Sequence, residues 1–194
     1  MLASAAAHAN PLVDRIVEQL EASPSGCTAV AEQHPQRRLI ENDIAEFKKV
    51  TAVPAGVDFQ VMDCTVDGFV HKGRTIVVST RMSRLSTPQR FFILAHELGH
   101  LKLGHHMAIS SFVARVVGSS PDESAARAAI AAGLAAVSHR AELDADAFAV
   151  RVMRDAGHDP EHAARLFDSI GEGHDNATHP SAGRRARSIR SHKH

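Results

Sequence analysis

The chain predicts an α+β fold: a mainly helical domain with a small three-stranded antiparallel sheet beside one buried helix. Three observations carry that expectation. Apolar residues recur at helical spacing over Pro11 to Leu20 and Leu39 to Val50. Strand-like runs are short and confined to one stretch: Val57 to Cys64, Phe69 to His71 and Thr75 to Ser79, with Lys72-Gly73 as a hairpin turn. A further helix, about Pro88 to Gly104, is apolar on most sides, as a buried helix should be, yet carries His96, Glu97 and His100.

The remaining elements follow in order. Ser23-Pro24-Ser25-Gly26 is a loop after the first helix. Thr87-Pro88 reads as an N-cap followed by proline at the first helical position. Ser120-Pro121-Asp122-Glu123 reads as a capping box. The helix it opens runs into the one that holds Glu142, with a break or kink near Gly133 or Ser138. Gly157 ends that helix and Asp159-Pro160 caps the next. A polar, glycine-containing loop, Glu172 to Asn176, precedes His179, and Pro180 starts a last helix.

The buried helix poses a chemical question. Two imidazoles and a carboxylate are costly to bury without partners. His96 and His100, four positions apart, share one helix face and can grip one zinc ion. Glu97 then lies beside the open face of the metal, placed to take a proton from a zinc-bound water. Downstream, Glu142 and Asp146 also share a face of a mostly apolar helix. Glu142 can complete a three-ligand site and leave a fourth position for water. Asp146 can accept the second ring N–H of a ligand histidine and fix its tautomer. The bland alternatives are a helix with half-exposed histidines and a solvated acidic stripe paired with Arg140, Arg151 and Arg154. The two motifs together favour the metal.

H-E-x-x-H at 96–100, then E-x-x-x-D at 142–146, then Thr178-His179-Pro180, resembles the HtpX-like and CAAX-prenyl-protease family of gluzincin metallopeptidases, metallopeptidase family 48. Asp67-Gly68-Phe69 followed by Gly73 to Val78 resembles that family's hairpin, although the family pattern usually begins Asn-Ala-Phe. The resemblance covers about residues 55 to 190. It implies a zincin-like metallopeptidase domain with His96, His100 and Glu142 as zinc ligands, Glu97 as base and Asp146 in support. It further implies that His179, and an arginine six residues on, line the site. That arginine is Arg185, with Arg184 beside it.

One absence sharpens the chemistry. The chain has no Tyr and no Trp. An oxyanion donor opposite the zinc must then be histidine or arginine, and His179 is the best placed. Its ring could instead swing onto the zinc and hold a resting, self-inhibited state. In zinc peptidases of this type the peptide commonly adds as a strand to the sheet edge, here Phe69, Val70 and His71. Backbone pairing of that kind selects extended or unfolded segments.

The expected function is therefore a zinc-dependent endopeptidase acting on a peptide or unfolded protein, with one Zn2+ per chain. Its domain is residues 55–194, and residues 1–54 form a helical segment packed on it. The rivals are a zinc-binding scaffold without hydrolysis, a metal-free helical protein, and an H-E-L-G-H peptidase of the repressor-cleaving type. The formal net charge is zero, so no general nucleic-acid attraction follows. The arginines of 184–190 read as a solvated face. No apolar run approaches the roughly 20 residues of a membrane span. Met1 to Asn10 has no cationic start or long apolar stretch, so a secretory signal is not expected. Cys27 and Cys64 read as free thiols in a reducing cytoplasm, which is the expected location, with peripheral membrane contact left open.

Overall fold

The computed structural model describes residues 10–20 and 26–192. Ser23, Pro24 and Ser25 of the expected loop, and nearly all of the stretch Met1 to Asn10, lie outside the described residues. The first helix, α1, spans Pro11–Leu20 and α2 spans Pro35–Val50. Pro35 suits the opening of α2 because a first-turn N–H needs no helical acceptor. The face of α2 at Ile40, Ile44 and Phe47 is buried. A bidentate pair ties it to the buried Arg90, whose Nε lies 2.6 Å from Asp43 Oδ2 and whose Nη2 lies 3.2 Å from Oδ1.

The sheet differs from expectation. It has four strands, not three, and is mixed rather than antiparallel. They are β1 (Thr28–Ala29), β2 (Asp58–Asp63), β3 (Gly68–His71) and β4 (Thr75–Ser79), in the order β1-β2-β4-β3. β3 and β4 form the expected hairpin, with His71 opposite Thr75. Lys72 and Gly73 at its turn both have positive φ. β4 is buried along its whole length and inserts between β3 and β2, so it runs parallel to β2, with Phe59 opposite Ile76. A fully buried inner strand and more exposed edge strands suit that order. Among the described residues, β3 is the last strand of the sheet on that side.

β1 pairs antiparallel with β2, Thr28 opposite Asp63. Just beyond that pair Cys27 and Cys64 form a disulfide, their Cα atoms 4.2 Å apart. The free-thiol expectation is thus corrected. The two cysteines are 37 residues apart in sequence, and only the β1–β2 pairing brings them together.

The buried helix, α3, spans Thr87–Lys102. Its N-cap is Ser86, one residue before the expected Thr87, with Gln89 closing a reciprocal capping box. Next comes a helix the sequence reading had not drawn: α4, His105–Ser119, entered through Gly104 in the left-handed conformation (φ 67°, ψ 34°). α5 then runs unbroken over 33 residues, Glu123–Asp155, capped by Asp122 rather than Ser120. The expected break at Gly133 or Ser138 is absent, and Gly133 instead makes a notch: a β-carbon there would meet the Phe112 ring of α4 at 2.8 Å. α6 (Glu161–Ile170) and α7 (Ala182–Ser191) complete the chain.

α2, the sheet, α3, α5, α6 and α7 share one core that includes Phe47, Ile76, Phe92, Leu98, Met153 and Ile189. Ile16, Val113 and Ile130 form a smaller cluster joining α1, α4 and α5. α3 and α5 cross at Gly99, where a β-carbon would lie 3.3 Å from Ala145 Cα and 3.1 Å from Phe148 Cδ1. That close approach sets the carboxylates of α5 against the histidines of α3. Among the described residues, no helix is long and apolar enough to cross a membrane.

Candidate active site

A cleft of about 440 Å³ opens between β3, α3, α4 and the loop before α7. His96, Glu97, His100, Glu142, His179 and Arg185 all line it, together with Phe69 and Val70 of β3 and the apolar side chains of Phe92, Ile93, Ile109, Leu166 and Phe167.

His96 and His100 project from adjacent turns of α3, with their Nε2 atoms 3.0 Å apart. Glu142 reaches both from α5: Oε2 lies 3.6 Å from His96 Nε2, and Oε1 lies 3.3 Å from His100 Nε2. These are the three residues expected as ligands, and they are grouped closely enough to hold one metal ion. The local chemistry fits a cation. Glu142 Oε2 is buried and makes no hydrogen bond, although Arg185 Nη1 sits 3.0 Å away. Two nitrogens and a carboxylate converge, and borderline-soft Zn2+ accepts such a donor set.

Each group is held from behind. His96 Nδ1 lies 2.9 Å from Asp146 Oδ1, which is fully buried. Arg185 grips Asp146 with both Nε (2.8 Å to Oδ2) and Nη2 (2.6 Å to Oδ1) while its guanidinium stacks on Phe167, 4.3 Å from the ring centre. One arginine of the basic run is therefore buried, against the solvated-face reading. Arg184 points elsewhere, to Asp175 Oδ2 at 2.8 Å, and does not line the cleft.

The charges respond to this packing. Burial opposes ionisation of Asp146, but Arg185 overrides it and holds the carboxyl below the usual range. Glu142 behaves likewise: burial would raise it, yet His100, His96 and Arg185 keep it ionised. Burial would make His96 less basic, but the bond to Asp146 outweighs that and raises its pKa. Glu97 is the exception. Burial lifts its pKa, and the neighbouring histidines only partly offset the effect.

The loop before α7 delivers His179. Its Nε2 lies 3.8 Å from Glu142 Oε1. Asn176 Oδ1 accepts the backbone N–H groups of Thr178 (2.9 Å) and His179 (2.7 Å). The Thr178 hydroxyl lies within hydrogen-bond reach of both Asn176 Oδ1 (3.2 Å) and His179 Nδ1 (2.8 Å), and His179 Nε2 is turned toward Glu142. Burial lowers the pKa of His179 and so favours the neutral ring. His139 Nε2 donates to Asn176 O at 2.7 Å, anchoring the loop to α5.

One contact escaped the sequence reading. His105, at the start of α4, places Nδ1 2.9 Å from His100 Nδ1. Burial, with His100 beside it, lowers its pKa to about 4. The available signal was Gly104-His105: a glycine at a helix stop followed at once by a histidine can turn that ring back onto the preceding turn.

A cleft with two histidines and a glutamate grouped to hold a metal, and a second buried glutamate beside them, defines a metallopeptidase-type site. The sequence model of peptidase family M48 matches residues 32–193, and the chain belongs to that family of metallopeptidases. A comparison with individually curated proteins found no match.

Proposed function

We propose that the protein is a zinc endopeptidase of the gluzincin type, acting on extended or unfolded polypeptide. The carrying observation is the convergence of His96, His100 and Glu142 beside Glu97, in a cleft lined by the edge strand β3. His96, His100 and Glu142 would hold the zinc, and Asp146 would fix the tautomer of His96. Bound zinc supplies Lewis acidity toward a peptide carbonyl and lowers the pKa of water.

Glu97 serves as the general base that takes the proton of the attacking water and later returns it to the leaving amine. Its raised pKa favours both halves of that exchange. His179 Nε2–H and the Arg185 guanidinium are the positive or donating groups nearest the carbonyl side, and His179 is the oxyanion donor. Arg185 is mostly committed to Asp146, so it works chiefly by orienting. Phe69, Val70 and His71 offer the backbone edge for an added strand. The apolar lining suits bulky hydrophobic side chains.

The catalytic domain is taken as residues 55–194, and the described elements before it, α1, β1 and α2, pack with it. The Cys27–Cys64 disulfide supports an oxidising compartment rather than the reducing cytoplasm that free thiols would suit.

The test is Glu97→Gln. It keeps the size of the side chain and removes the base, so casein cleavage should fall on the order of a thousandfold while bound zinc is unchanged. Undiminished cleavage by the purified variant, with contaminating proteases excluded, would reject the mechanism.

A further inference from the structure

We propose that His105 is a positioning residue for the metal site: its Nδ1 lone pair accepts the Nδ1–H of His100 and fixes the edge that His100 turns to the metal. The inference rests on the zinc site proposed above. His100 Nε2 is the atom that faces His96 Nε2 and Glu142 Oε1, at 3.0 and 3.3 Å. A neutral imidazole that gives Nε2 to a metal keeps its proton on Nδ1. That proton is aimed at His105 Nδ1, 2.9 Å away. The ring planes are steeply inclined, at 78° with centres 4.9 Å apart, so the rings are not stacked and the contact between them is the one between the two Nδ1 edges. His105 is 7% exposed, which keeps water from replacing it as the acceptor.

The backbone explains how this ring arrives there. α3 stops at Lys102, and Gly104 takes a left-handed conformation. The chain turns there, and the first residue of α4 lies against the last turn of α3. A side chain at 104 would strain that turn.

The two ligand histidines are thus oriented by different chemistry. His96 gives its Nδ1–H to a carboxylate that Arg185 clamps. His100 gives its own to a neutral ring, which accepts more weakly than an anion. His100 is accordingly the ligand that loosens first when zinc leaves, and His105 sets how readily it does.

The experiment compares His105→Leu, which keeps bulk at Cγ without an acceptor, with His105→Asn, whose amide oxygen falls near the place of Nδ1. Zinc retention is read by competition with a chromophoric chelator, without proteolysis. Zinc-free unfolding midpoints report folding. His105→Leu should hold zinc about 10 to 100 times more weakly, the usual cost of losing such a partner, and His105→Asn should recover most of the loss. Wild-type retention in His105→Leu, or equal loss in both variants, would overturn the proposal. NMR of the zinc-loaded wild type gives a variant-free check: His100 should be protonated on Nδ1 and His105 on Nε2, and the opposite tautomers would overturn it. Full zinc retention by His100→Ala would overturn the ligand assignment itself, a failure distinct from the others.

Discussion

Arg185 shows how a single side chain can organise a site without touching the reaction. It neutralises a carboxylate that has no exposure to water, and that carboxylate orients His96. Removing one partner of such a pair strands the other charge in the interior, at a cost of about 3–5 kcal/mol. Arg185→Ala should lose that much stability near neutral pH by denaturant unfolding. The pH dependence has a definite sign. The folded pKa of Asp146 is depressed, so its contribution is full above the unfolded value of about 3.9 and fades as pH falls toward the folded one. The gap between wild type and Arg185→Ala should therefore narrow in acid. A gap that stayed constant would show that Arg185 acts through packing on Phe167. At this scale the grouping of His96, Glu97, His100, Glu142 and Asp146 was legible in advance, because they lie on two helices where spacing alone sets the face. Arg185 was placed only through the family resemblance, and its grip on Asp146 was invisible because the partners lie 39 residues apart.

The crossing of α3 and α5 carries the site at the scale of elements. Gly99 lets the helices touch, and Glu142 lies less than one turn before Ala145, the residue against which Gly99 packs. Gly99→Ala must push the helices apart, costing about 1–3 kcal/mol by overpacking, and should weaken zinc retention by shifting Glu142. Gly118→Ala is the contrasting case. It sits on α4 with open space where the β-carbon would go, so it should stabilise by about 0.4–1 kcal/mol. Equal gains in both variants would show that helix propensity, rather than the crossing, is being measured. The helices themselves were readable from periodicity and caps. The sheet was readable only in part, since β3 and β4 are local, whereas the parallel β2–β4 pairing and two-residue β1 depend on chain segments meeting at a distance. α4 was missed for a different reason: its start is marked only by Gly104, which also reads as the end of α3.

The disulfide ties the outer strand of the sheet to its neighbour and constrains the whole molecule. Closing a loop of this size restricts the unfolded chain, an effect worth about 2–4 kcal/mol. Cys27→Ser should lower the unfolding midpoint, and reductant should do the same to wild type and nothing further to the variant. Neither change should release zinc from the folded protein, because β1 is at the opposite edge of the sheet from β3. Loss of zinc on mild reduction would mean that the edge strand is coupled to the cleft. The same bond has a consequence for handling the protein. It makes the segment from Cys27 to Cys64 a covalent ring that contains all of α2 and the mostly exposed stretch 51–57. Exposed loop backbone is where proteolytic nicking concentrates. A cut within 51–57 leaves both pieces joined by sulfur, so the nicked chain migrates near the intact one on a non-reducing gel and separates into fragments only after reduction. The integrity of any preparation is therefore read by comparing the two lanes.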